Sequence, residues 1–133
     1  MSFDVYLTFD GDCRLAMEFY SQVFNQKMPE QIMTYGQNEG SAEEDKDRIL
    51  YACVPIHGCN VMFCDCPSGS EHIKGNNIML VIGLKDENEI RQTFNKLAEE
   101  GEIGMKLEKT FFSELFGMVT DKFGIIWQIS KVK

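Results

Sequence analysis

No uninterrupted apolar run in this sequence approaches the roughly 20 residues that a membrane-spanning helix needs, which argues against a protein integral to a membrane. Positive charge is scarce as well: 13 Lys and Arg stand against 21 Asp and Glu, a formal net charge of -8. Nucleic-acid binding depends on cations that neutralise phosphates and release counterions, so DNA, RNA and anionic membranes are poor partners for this chain. The sequence holds no phosphate-cradling Gly loop, no dinucleotide fingerprint, no Ser-His-Asp order and no H-E-x-x-H, and nucleotide and protease chemistry therefore have no support. No basic, apolar, small-residue leader opens the chain, and its five cysteines are an odd number; the expectation is a reduced, cytoplasmic protein.

What is there is an ordinary globular composition, 44% hydrophobic and 26% charged over 133 residues, which suits a single domain with a real core. Phe3 to Phe9 alternates and is rich in β-branched and aromatic residues, the pattern of a strand with one buried face. Asp10-Gly11 turns the chain, and Asp12 is placed to cap a helix that buries Leu15, Ala16, Phe19, Tyr20, Val23 and Phe24 at three- and four-residue spacing. Strands are expected over Lys27 to Tyr35, Arg48 to Ile56 and Cys59 to Asp65, with a hairpin turn at His57-Gly58. Gly36 to Asp47 and Pro67 to Gly75 read as loops, with Glu43, Glu44, Asp45 and Asp47 solvated.

The second half restarts the pattern. A strand over Asn77 to Leu84 precedes a helix capped by Asp86, buried at Ile90, Phe94, Leu97 and Ala98 and ended by Gly101; strands follow at about Gly104 to Phe112, Phe116 to Thr120 and Ile125 to Ser130. Sliding one half onto the other pairs Val5 with Met79, Asp12 with Asp86, Ala16 with Ile90, Tyr20 with Phe94 and Val23 with Leu97. The chain thus reads as an α+β protein, one domain over residues 1–133 with an internal β-α-β-β-β repeat at about 1–66 and 76–133, the two units flanking a cavity. Function is expected in that cavity.

Three segments carry a family resemblance: Tyr6-Leu7-Thr8-Phe9-Asp10-Gly11-Asp12-Cys13 leading into Ala16-Met17-Glu18-Phe19-Tyr20; Thr110-Phe111-Phe112; and Phe116-Gly117-Met118-Val119-Thr120-Asp121-Lys122-Phe123-Gly124-Ile125-Ile126-Trp127. Along almost the whole chain the sequence resembles the PhnB-like branch of the glyoxalase/bleomycin-resistance (vicinal oxygen chelate) superfamily. One departure is Phe112, where such relatives more often have Trp. The resemblance implies curved mixed sheets from paired βαβββ modules, a homodimer, and in the wider superfamily a metal held by His, Glu or Gln from four strands. At the matching positions stand Val5, Tyr51, Met79 or its neighbour Asn77, and Gln128. A divalent metal wants three or four carboxylate, imidazole or thiolate ligands, so no catalytic metal and no other cofactor is expected.

The remaining groups weigh toward packing and solvation. Cys59, Cys64 and Cys66 with His57 and His72 form a zinc site only on paper, because strand alternation points Cys59 and Cys64 to opposite faces. Cys13 at a helix start is the one candidate nucleophile, opposed by Asp10 and Asp12. The pairs Glu108 with Glu114 and Asp65 with Glu71 read as solvated surface, while Asp121 is expected to organise its own turn with Gly124 at positive φ. Of Phe111, Phe112, Phe116 and Trp127, about three are expected in the core. Tyr51, Asn77, Met79, Phe112, Phe116 and Gln128 are the expected lining of a metal-free pocket for a small ligand of apolar or mixed polarity. The alternatives are a metal-dependent lyase, isomerase or dioxygenase recruiting His57 or Glu30, and a non-catalytic structural or interaction protein. Neither a methyl-donor nucleotide fingerprint nor a phosphonate-binding Arg cluster occurs.

Overall fold

A computed structural model describes residues 1–133. The chain divides into two compact units, Met1–His72 and Ile73–Lys133. The first runs β1 (Val5–Phe9), α1 (Cys13–Val23), β2 (Met33–Thr34), β3 (Ile49–Ile56) and β4 (Cys59–Asp65); the second runs β5 (Leu80–Leu84), α2 (Glu87–Ala98), β6 (Glu102–Glu108), β7 (Phe116–Thr120) and β8 (Ile126–Lys131). Each forms a four-stranded mixed sheet, ordered β1-β4-β3-β2 in one and β5-β8-β7-β6 in the other, so the two modules share one topology. β1 is parallel to β4 and β5 to β8, while the other pairs are antiparallel. The architecture is α+β, two βαβββ modules. No helix is long and apolar enough to cross a membrane.

Each helix covers one face of its own sheet. Ala16, Phe19, Tyr20 and Val23 of α1 are buried beside Phe9 and Phe63, whose rings stack at 6.1 Å, and Tyr20 meets Phe63 at 6.0 Å. Ile90, Phe94 and Leu97 of α2 are buried in the same way, so the helical stripes align as the repeat predicts. The strands do not align identically. Phe9 pairs with Asp65 and Leu84 with Lys131, so Val5 corresponds to Leu80, one residue beyond Met79. One residue matters because it moves a side chain to the other face.

Several elements differ from their expected bounds. β2 is only Met33–Thr34 rather than Lys27 to Tyr35: Pro29 removes a ladder donor, and after Thr34 the chain winds into a 3-10 turn at Tyr35–Gln37. A second such turn, Glu43–Asp45, lies in the segment expected to be plain loop. β5 starts at Leu80 rather than Asn77, because its partner β8 starts only at Ile126 and the first register pair is Leu80 with Trp127. β6 is Glu102–Glu108 rather than Gly104 to Phe112, since a tight turn follows in which Thr110 N donates to Ser113 O at 2.9 Å and Ser113 N to Thr110 Oγ1 at 3.1 Å. Phe111 and Phe112 sit in that turn and are exposed, so two of the four aromatics, Phe116 and Trp127, are buried rather than three. Leu15 is likewise exposed. The His57-Gly58 hairpin turn is as expected, with φ of 48° and 79°.

Three acidic residues expected at the surface or in turns are buried: Asp45, Asp65 and Asp121. Asp65 Oδ1 accepts the backbone N–H of Gly11 at 2.7 Å and of Cys13 at 3.1 Å, and Oδ2 that of Ile49 at 2.9 Å. It thereby does the capping expected of Asp12, whose side chain makes no cap bond. Asp45 accepts from Ser68 N and pairs with Arg48 at 3.4 Å. Asp121 organises its turn as expected, accepting Phe123 N at 2.9 Å and Ile125 N at 3.1 Å, and also takes Trp127 Nε1 at 2.8 Å. At the end of α2 the left-handed residue is Glu100, not Gly101. Gly101 serves a close approach instead, as a Cβ there would collide with the Thr120 carbonyl oxygen.

Candidate functional site

Strand alternation puts Val5, Leu7 and Phe9 toward α1 and leaves Tyr6 and Thr8 on the opposite, open face of the first sheet. Tyr6 pairs in register with Met62, and Met62 with Cys53; Thr8 pairs with Cys64 and Tyr51 with Met33. The Tyr6 and Tyr51 rings lie 6.4 Å apart, and both residues are substantially exposed, 48% and 39%. Burial pushes the Tyr6 phenol up to about 12, assisted by the neighbouring Cys64 thiol. Burial also raises Cys64 and Cys53, so neither thiol is activated as a nucleophile. His72 Nε2 lies 3.0 Å from Thr8 O at the edge of this face.

The second sheet presents its own open face, with Met79, Val81, Met118 and Gln128. Gln128 Nε2 donates to Met79 Sδ at 3.1 Å. Phe116, paired in register with Ser130, is buried because Phe112 packs edge-on against it at 4.9 Å. Of the six expected lining residues, Met79 with Gln128 and Phe112 with Phe116 are thus brought into contact. Tyr51 belongs to the open face of the first module, and Asn77 is exposed in the segment ahead of β5. Sequence reasoning missed Tyr6 and Thr8, and weighed Cys64 only as a zinc ligand, not as part of this face. The signal was present in the alternation of Val5-Tyr6-Leu7-Thr8-Phe9, whose buried end, Phe9, sets the face.

That parity also corrects one of the positions matched to the superfamily's metal ligands. Val5 faces the helix side, and the open-face residues of that strand are Tyr6 and Thr8. No group of three or more His, Cys, Asp or Glu side chains converges to hold a metal ion. Phenol, thioether, amide and raised thiols are the donors on offer, and this set does not fit a divalent metal. His57 lies in the hairpin turn against the Phe24 ring, and Glu30 is exposed ahead of β2, so neither completes a site. Cys13 is fully buried, and burial, then Asp65, drives its thiol well above the ordinary range. Its place at a helix start therefore gives packing, not reactivity.

Two sheets of this strand order, each backed by one helix and open on the other side, define a glyoxalase-type α+β protein. Residues 2–130 match the family model described as 3-demethylubiquinone-9 3-methyltransferase, and the chain belongs to that family, the PhnB-like one. It is 32% identical to protein YjdN of Escherichia coli (strain K12), covering 100% of this chain and 97% of that protein. Among solved structures, a putative 3-demethylubiquinone-9 3-methyltransferase, PhnB protein, from Bacillus cereus is 28% identical with a TM-score of 0.84, covering 99% of this chain and 100% of that one. The fosfomycin resistance protein FosX of Listeria monocytogenes shares the fold alone, at 10% identity and a TM-score of 0.66 over 98% of this chain and 91% of that one.

Proposed function

We propose that this protein is a small-molecule-binding member of its family, acting without a metal, as a cytoplasmic homodimer, on a ligand of apolar or mixed polarity. The observation that carries this reading is the open face of the first sheet. There Tyr6 and Tyr51 present their rings 6.4 Å apart among thioethers and thiols, with no carboxylate or imidazole set to bind a metal. Such a face, apolar with a few polar handles, is what a ligand site requires. Exposed apolar residues on both sheets, among them Tyr6, Tyr51, Val81 and Met79, support a further covering partner, and a second copy of the chain is the one the family resemblance implies. Five free cysteines support a reducing compartment.

The description of the family names a methyl transfer, and that chemistry is not carried over, since the sequence holds no methyl-donor nucleotide fingerprint. The test is elemental analysis of the purified protein before and after incubation with Zn²⁺, Ni²⁺, Mn²⁺ and Fe²⁺, followed by a thermal-shift screen of small aromatic and mixed-polarity compounds on the wild type and Tyr51→Ala. Metal well below one per chain, with hits that Tyr51→Ala weakens, is the expected result. One tightly held metal per chain would overturn the metal-free reading, and hits indifferent to Tyr51 would overturn the site. Sedimentation at micromolar concentration checks the dimer separately.

A further inference from the structure

Corresponding ends of the two modules are closed in different ways. In the first, the chain between β2 and β3 is long and pinned across the sheet end: Tyr35 Oη donates to Asp65 O at 2.7 Å, and Arg48 to Cys66 O at 2.8 Å and to Asp10 at 2.9 Å. In the second, the chain between β6 and β7 is the short Thr110–Ser113 turn, and it leaves a pocket of about 470 Å³ at the sheet end. Phe111, Phe112 and Val132 supply its apolar wall, and Lys109, Lys131 and Lys133 its cations. Three of the 13 cations of a chain with net charge -8 therefore gather around one opening.

The charges there are not all committed. Glu114 is bound to Lys131 at 2.9 Å, and Lys131 also reaches Glu87 at 3.5 Å. Lys109 and Lys133 sit close enough to help hold the Glu114 carboxyl below its ordinary range, yet neither is in an ion pair of its own. Beside them the Phe111 ring is 100% exposed and Phe112 58%, edge to face at 5.2 Å. Two adjacent phenyl rings left in water next to unpaired ammonium groups ask for a ligand that is apolar on one side and anionic on the other. Bare phosphate fits poorly, because the walls are apolar and the cations are lysines, point charges without the bidentate fork that clamps a phosphate.

We propose that this pocket binds an amphipathic organic anion, an aromatic or branched-aliphatic carboxylate, with its apolar body on Phe111 and Phe112 and its carboxylate between Lys109 and Lys133. The site is distinct from the open face of the first sheet and stands or falls independently of it. The test is titration of the full-length protein with 2-naphthoate, 2-naphthalenemethanol and inorganic phosphate, followed by amide NMR shifts. Naphthoate should saturate with shifts confined to residues 109–115 and 131–133. It should bind about tenfold or more tighter than the alcohol, a difference of about 1.4 kcal/mol. Phe111→Ala, at a fully exposed position and so harmless to folding, and the double variant Lys109→Gln/Lys133→Gln should each weaken it several-fold. Equal binding of the alcohol would reduce the site to an apolar patch, and equal binding of phosphate to a patch of charge; either overturns the proposal. Shifts at Tyr6 and Tyr51 instead, or shifts at 109–115 on raising protein concentration alone, would overturn it in favour of the first-sheet face or of a contact between copies.

Discussion

At the end of the strand that pairs with the first strand of each module, the first module has Asp65 and the second has Lys131, at the same register. Asp65 is buried and gathers three backbone N–H groups, one from Cys13 at the start of α1 and one from Gly11 in the turn that leads into it. Lys131 cannot accept a hydrogen bond. In its module the helix start is held locally, by Asp86, which accepts Glu89 N at 3.1 Å, and Lys131 reaches Glu87 of the first turn. The orphan N–H groups of a helix start must go somewhere. One module satisfies them from across the sheet and the other from within the chain, and the same topology tolerates both. That is why Asp12 and Asp86, equivalent by sequence, are not equivalent in structure.

The largest effect that tests this comparison is Asp65→Ala. It leaves the buried N–H groups of Cys13 and Ile49, and the part-buried one of Gly11, without their acceptor, and the cost should be about 3 kcal/mol or more. Lys131→Ala, at the equivalent register, removes partly exposed ion pairs and should cost no more than about 1 kcal/mol. Urea unfolding of the two variants measures both, and similar losses would mean that the carboxylate is not what anchors α1.

Asp121→Ala comes next, at about 2–3 kcal/mol, because it unties the Phe123 and Ile125 amides and the Trp127 indole together. Trp127 is the only tryptophan, so its emission reports the loss directly. An unchanged spectrum with lowered stability would separate the turn from the indole bond. Smaller still is the pair of caps. Asp86→Ala should cost about 1 kcal/mol, the ordinary value of an N-cap, whereas Asp12→Ala should stay within about 0.5 kcal/mol. Equal costs would restore the sequence equivalence that the structure removes.

The helices, the repeat and the hairpin at His57-Gly58 were legible in the sequence because each rests on local signals: three- and four-residue spacing, a cap, a turn with positive φ. The strand ends were not, because they depend on partners. Leu80 opens β5 only because the ladder with β8 opens at Trp127, and Phe111-Phe112 leaves β6 only because Thr110 and Ser113 close a turn. Asp65 and Asp45 looked like solvent-facing acids because their donors are distant in sequence, Gly11, Cys13 and Ile49 in one case and Ser68 in the other. At the candidate site the residue types were readable and the face was not. One residue of slip exchanged Tyr6 for Val5, and in a period of two that error inverts the surface.

The open faces carry the last difference. Where the first sheet has Tyr6 and Cys64, the second has Val81 and Ser130 at the same registers, so at these positions only the first carries a phenol and a thiol. The Tyr6 phenol is raised from 10.0 to about 12, by burial first and then by Cys64. Below pH 10 the phenol is neutral in folded and unfolded chains alike, and its contribution to stability is complete. Between 10 and 12 the unfolded chain releases the proton while the folded chain keeps it, so stability falls as pH rises and levels off above 12. The thiols of Cys13, Cys53, Cys64 and Cys66, raised from 9.0, act in the same direction and begin earlier. Tyr6→Phe should therefore flatten, not abolish, the loss of urea resistance between pH 9 and pH 11. Because Tyr6 is nearly half exposed, solvent screening should keep its share below about 1 kcal/mol. Val81→Ala, at the equivalent register of the second sheet, should leave the slope as it is. A slope unchanged by Tyr6→Phe would mean that the phenol is hydrated like any surface tyrosine, and the two open faces would then differ in shape alone.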